Sequence, residues 1–305
     1  MLEFLAPVEH FGLRFDRGSI LFEFDALREP ERTQFPQIGA WLRAKGVEFN
    51  EVPTPKMLWR GKLWPDLFIA NQLDALCDTD YGNPLYDIKM PEKALWPASL
   101  TLQDVSISQQ GAKFHDEFIE PMARKIAGRS SSEIAAKFHR AIWVPIFWPT
   151  TLRARQSIRT PFFYPRAGYA GRPAELLSVP VDGRKRDSAL PEYASVALSI
   201  AYVVAEPREF FSVCFVVDDS PIYRITDMDV CAGIDAPLHR LIVEYRGECD
   251  VPAELRRLGL AEIEQIAYGS ARLQIPTLAN VAAGWTPRPH INAQIFEIME
   301  HERKT

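Results

Sequence analysis

The 305-residue sequence contains no G-x-G-x-x-G, no strand–glycine turn–helix unit near its start, and no C-x-x-C. The first two absences remove the sequence mark of a dinucleotide-binding turn. The third removes the clustered thiolates of a structural zinc site. None of the six histidines (His10, His115, His139, His239, His290, His301) falls in H-x-H or H-E-x-x-H spacing, and no G-x-S-x-G supports a serine nucleophile. No stretch approaches the roughly 20 apolar residues of a membrane span. The N-terminus, Met1-Leu-Glu-Phe-Leu, lacks a basic n-region and a cleavage site, so no signal peptide is expected. Net charge is −5 and the pI about 5.8. The one basic tract, Arg184-Lys185-Arg186, reads as a loop, so neither nucleic acid nor an anionic membrane is an expected partner. Cys77, Cys214, Cys231 and Cys249 read as reduced thiols of a cytoplasmic protein, with no metal expected.

What is present is a chain that is 47% hydrophobic, enough for a sizeable core, with 24 prolines spread throughout. Residues 31–45 read as a helix ending at Gly46, and Pro65–Cys77 as a helix with proline in its first turn. Met57–Lys62 reads as a short strand and turn. Phe114–Ala127 fits a helix closed by Gly128. Ser130-Ser-Ser-Glu133 has capping-box spacing and opens a helix running to about Ile142. Val196–Ala205, Phe210–Val217, Ile222–Thr226 and Leu241–Tyr245 are rich in β-branched and aromatic residues and separated by turn sequences, which predicts an antiparallel meander. A helix at Pro252–Leu258 and another near Ile291–His301 follow. The fold class is α+β, a helical layer on an antiparallel sheet, within one unit. That unit comprises an N-terminal segment (1–50), a mainly helical part (51–177), the sheet (178–250) and C-terminal helices (251–305).

Phe114-His-Asp-Glu-Phe-Ile-Glu-Pro-Met-Ala-Arg-Lys-Ile-Ala-Gly128 is followed by Ser132-Glu133-Ile134, then by Trp143-Val-Pro, and then by Phe163-Tyr-Pro-Arg-Ala-Gly168. Farther on come Pro221-Ile-Tyr-Arg-Ile225 and Leu241-Ile-Val-Glu244, and upstream lies Trp59-Arg-Gly-Lys-Leu-Trp-Pro65. In this order, over roughly residues 50–250, the chain resembles the flavin-containing amine oxidase superfamily, closest to its protoporphyrinogen-oxidase-like and UDP-galactopyranose-mutase-like branches. The resemblance implies the fold of that family's substrate-binding domain. It departs from the family in three places. The sequence starts at Met1 without the family's dinucleotide-binding unit. Only Ser178–Tyr193 separates the Tyr-Pro-Arg motif from the next strand, where the family has a second cofactor-domain excursion. The segment Arg288–Thr305 has no glycine-rich closure. The expectation is a substrate-type domain alone, binding no cofactor itself, with FAD entering only through a partner chain.

The segment Trp143–Arg172 interleaves aromatics (Trp148, Tyr164) with arginines (Arg153, Arg155, Arg166), a pattern suited to an anionic or planar ligand. Arg166 is placed by the resemblance at the flavin–substrate junction, although Ala167 replaces a glycine there. The same resemblance turns the Tyr223-Arg224 strand toward the substrate cavity. Strict alternation would send those two side chains to opposite faces. Glu244 and Arg246, on the neighbouring strand, could pair with each other. His290 sits in a constrained Pro-Arg-Pro-His loop. These residues fit the substrate-recognition subunit of a split flavoenzyme in a biosynthetic pathway, with a flavoprotein partner or a second copy of the chain covering the exposed apolar face. A flavin-independent cyclase, isomerase or lyase reusing the pocket, and a non-catalytic binding protein, are the alternatives.

Overall fold

A computed structural model describes residues 48–53, 55–65, 96–137, 162–165 and 193–286, together with positions 40 and 44, both helical. Most of the helix expected over residues 31–45, and the helices expected at Pro65–Cys77 and Ile291–His301, lie outside the described residues. β1 (Phe49–Val52) pairs antiparallel with β4 (Phe162–Pro165) as a separate two-stranded sheet. Among the described residues the main sheet has seven strands in the order β3-β2-β6-β7-β8-β5-β9. These are β2 (Lys56–Trp59), β3 (Lys62–Trp64), β5 (Ser195–Pro207), β6 (Val213–Val216), β7 (Ile222–Asp227), β8 (His239–Tyr245) and β9 (Ala261–Gln274).

The class is α+β, but the sheet is mixed rather than purely antiparallel, because β2 runs parallel to β6. Among the described strands, β6, β7 and β8 are the ones that form a meander. β5 lies beyond β8 and is sandwiched between it and β9. β9 falls where only C-terminal helices were expected.

Alternation along β5 shows how the sheet divides the core. Leu198, Ile200 and Tyr202 join Trp59, Phe114, Phe118, Met122 and Ile242 on one face. Ala201, Val203 and Ala205 join Val216, Ile225, Val243, Val251 and Leu255 on the other. The first face is covered by helices α1 (Leu102–Gln110), α2 (Ala112–Phe114) and α3 (Glu120–Ala127). Here Phe114 stacks on Phe118 at 5.2 Å, and Trp59 meets Phe118 edge-on at 5.1 Å. The second face is covered by α5 (Val251–Arg257), which starts on an Asp250 cap. A short α4 (Met228–Ala232) bridges β7 to β8, and α6 (Leu278–Ala282) follows β9. Among the described residues no helix is long and apolar enough to cross a membrane.

The α2–α3 run passes through a π-helical turn at His115–Ile119 and stops at Gly128, whose φ of 62° is the left-handed closure expected of it. The wider turn carries a buried His115, whose Nδ1 meets Ser106 Oγ and whose Nε2 lies 3.3 Å from Ser131 Oγ. Ser130 and Glu133 do form a capping box, but it opens only a 3-10 turn, Ser131–Glu133. The chain then extends: Ile134 O accepts from Leu102 N at 2.9 Å, and Ala135 N donates to Pro276 O at 2.7 Å. Tertiary backbone pairing thus overrides the local helix signal at Ile134 and Ala135; Ala136 and Lys137 are helical again, and residues 138–142 lie outside the described residues.

Candidate functional site

The β7–β8 ladder brings the two strand candidates together. Ile222 stands opposite Tyr245 and Arg224 opposite Glu244, so Tyr223 is an extra, bulged residue. A bulge turns two successive side chains to one side. Tyr223 therefore packs in the same cluster as Ile242, on the face that Glu244 and Arg224 share, and not on the face opposite Arg224. Tyr223 is fully buried. Arg224 Nε donates to Glu244 Oε2, with the two side chains 11% and 0% exposed. A guanidinium already neutralised by a buried carboxylate attracts a second full anion weakly.

Glu244 thus meets Arg224 on this ladder, where Arg246 was the expected partner. Arg246 instead donates from Nε to Lys125 O (2.8 Å), from Nη2 to Ile126 O (2.7 Å) and from Nη1 to Ala197 O. It satisfies the carbonyls that the last turn of α3 leaves open. Lys125, the motif lysine, donates to the carbonyls of Val216 (3.0 Å), Val217 (3.2 Å) and Asp218. Burial pushes its ammonium down to about 8, against the pull of Asp218 and Asp219. The Asp218 carboxylate also accepts from Arg60 N and, at 2.7 Å, from Gly61 N in the β2–β3 turn. Several motif residues thus lock the helical layer to the sheet.

Tyr164 lies on β4 opposite Asn50 of β1. Asn50 Nδ2 donates to Val230 O (3.3 Å) and Cys231 O (3.1 Å) at the end of α4. The strand leading into the Tyr-Pro-Arg motif is thereby tied to α4. Gly233 makes this approach possible, since its φ is 70° and a Cβ there would lie 2.7 Å from Asn50 Oδ1. Arg166, Trp148, Arg153, Arg155 and His290 lie outside the described residues.

The start of α4 holds a group of charges that sequence spacing hides. Asp227 Oδ1 caps the helix, accepting from Asp229 N (3.1 Å) and Val230 N (2.9 Å), while its Oδ2 lies 2.6 Å from His239 Nδ1. Asp229 accepts from Arg240 N (2.6 Å) and Nε (2.8 Å). Burial raises the Asp227 carboxyl, the α4 amide and His239 lower it, and Asp229 raises it further. Asp227 and His239 are 12 residues apart, and no pattern read from the sequence joins them.

Four of the described helix starts do not fit a flavin pyrophosphate. That group needs a free helix N-terminus after a glycine-rich turn. Here Thr101, Asp227, Asp250 and Thr277 close the starts of α1, α4, α5 and α6 with their own side chains. Two of these caps are carboxylates, which repel phosphate. Among the described residues no three His, Cys, Asp or Glu side chains converge to hold a metal ion.

No protein-family model matches the chain, and no curated protein matches it in sequence. Solved structures do match it. Reduced UDP-galactopyranose mutase aligns over 88% of this chain and 82% of its own, at 12% identity and a TM-score of 0.53. A protein described as a protoporphyrinogen oxidase from Exiguobacterium sp. 255-15 aligns over 95% and 88%, at 13% identity and a TM-score of 0.52. The chain shares its fold with these two proteins. At these identities the likeness extends to fold alone.

Proposed function

We propose that this chain is the substrate-recognition component of an oxidoreductase whose flavin is carried by a second polypeptide, in a biosynthetic pathway. The observation that carries the reading is a mismatch. The fold is that of flavin enzymes, yet the sequence has no G-x-G-x-x-G, and among the described residues Thr101, Asp227, Asp250 and Thr277 close the starts of α1, α4, α5 and α6 with their own side chains. Recognition falls to the segment holding Trp148, Arg153, Arg155, Tyr164 and Arg166, with the buried Tyr223 and Arg224 backing it from the sheet. Arginine forks and flat rings suit an anionic or planar ligand. Arg224, neutralised by Glu244, contributes hydrogen bonding there rather than net charge.

The test is affinity purification of the tagged chain from its own host, followed by the absorption spectrum of the eluate. A yellow eluate containing a second protein with a dinucleotide-binding motif supports the reading. A colourless eluate of this chain alone contradicts it.

A further inference from the structure

Outside the Arg224–Glu244 face, Asp227 and His239 form a second assembly with chemical capacity of its own. The Asp227 side chain is 0% exposed and the His239 side chain 12%. An ionised carboxylate only accepts hydrogen bonds, so at Oδ2 it holds the imidazole proton on Nδ1 and leaves the Nε2 lone pair bare. Oδ1 is held by two backbone amides of α4, so the carboxylate cannot swing away. Among the described residues His239 Nε2 has no hydrogen-bond partner, and it is not among the buried polar atoms sealed from solvent. A bare, oriented nitrogen that reaches solvent is the arrangement a general base requires.

The surroundings narrow the ligand. Asp229 and Asp227 bring two carboxylates; Arg240 is committed to Asp229, and Arg224 to Glu244. The buried Cys231 thiol stays protonated, because burial raises it and Asp227 raises it further. No uncommitted cation among these groups would hold an anion. The loop leading into His239 exposes Ile234 and Leu238, each 40% accessible. Position 239 also stands opposite Ala205, where β9 carries a bulge between Ile263 and Gln265. Such irregularities re-aim side chains at strand ends.

The geometry points to an acid–base site in which His239 Nε2 takes the proton of a weakly acidic O–H on a neutral ligand with an apolar body. The proton moves from oxygen to Nε2, the Nδ1 proton stays with Asp227, and no electron is transferred. The proton transfer needs no flavin and is tested on the chain by itself.

The probe is 4-nitrophenol, whose absorption separates phenol from phenolate. The expected result has two parts. Nitrogen-15 spectra of the free protein show His239 with Nδ1 protonated and Nε2 bare, and added 4-nitrophenol shifts the Nε2 resonance while the bound phenol moves toward phenolate. His239→Gln, which leaves the Asp227 cap on α4 intact, weakens binding by about tenfold or more, as the loss of a charge-assisted hydrogen bond does. An Nε2-protonated His239 in the wild-type protein overturns the assignment. So does 4-nitrophenol binding that is equal in wild type and His239→Gln, or no perturbation of His239 at saturating probe.

Discussion

Arg246 occupies the space that a side chain on Gly128 would need. A Cβ at Gly128 would lie 2.8 Å from Arg246 Nη1 and 3.0 Å from its Cζ. Gly128 also sits at φ 62°, where L side chains are strained. Gly128→Ala is therefore expected to cost about 1–3 kcal/mol, combining backbone strain with displacement of the guanidinium from the α3 carbonyls. Urea denaturation of Gly128→Ala, Arg246→Ala and the double variant checks it. Coupling predicts that Gly128→Ala costs clearly less when Arg246 is already gone.

Arg224 and Glu244 make a second coupled pair. Removing one partner takes away the closest counter-charge of a buried group, so Arg224→Met or Glu244→Gln alone is expected to destabilise the fold by about 3–5 kcal/mol. The double change Arg224→Met with Glu244→Met recovers most of that loss, because a buried pair is close to neutral against well-packed apolar residues. Thermal unfolding of the three variants reads this directly.

His115 predicts a pH effect. Burial holds its imidazole below the ordinary value of 6.5, against the opposing pull of Asp116 and Glu120. As pH falls below 6.5 the unfolded chain takes up a proton there while the folded chain does not, so folded stability drops on the acid side. The stability that wild type holds over His115→Asn at pH 7.5 should shrink between pH 6.5 and 5. A difference that stays constant over that range would show that His115 is not held neutral by the fold.

Lys125 ties α3 to the β6–β7 turn through three carbonyls. Lys125→Met leaves those acceptors without their donor and is expected to cost about 1–3 kcal/mol. Because this loss loosens the seam between helices and sheet, hydrogen exchange should quicken at Val217 and in the last turn of α3 before it quickens in β5 or β8.

The helix end at Gly128, the Ser130 capping box and the strand cores around Ile200, Ile225 and Val243 were legible in the sequence because each is set by local chemistry: a left-handed glycine, a hydroxyl three residues before a carboxylate, alternating β-branched side chains. The failures share a different origin. The parallel β2–β6 pairing joins Lys56 to Cys214 across the chain, and nothing local announces it. The Tyr223 bulge is one inserted residue, invisible to a period-two pattern, yet it decides which face both candidate side chains share. Asp227 and His239 meet only because α4 folds the chain back between two strands. The capping box opens a 3-10 turn rather than a continuous helix, because Ile134 and Ala135 are drawn into backbone pairing with Leu102 and Pro276 before the chain turns helical again at Ala136 and Lys137.

The central claim is that recognition and flavin reside on two chains. A native mass spectrum of the protein isolated from its own host tests it most directly. The account predicts a mass above that of the chain, resolving on activation into this polypeptide, a second polypeptide and one flavin. A bare monomer or homodimer, with no flavin and no second chain, would contradict it.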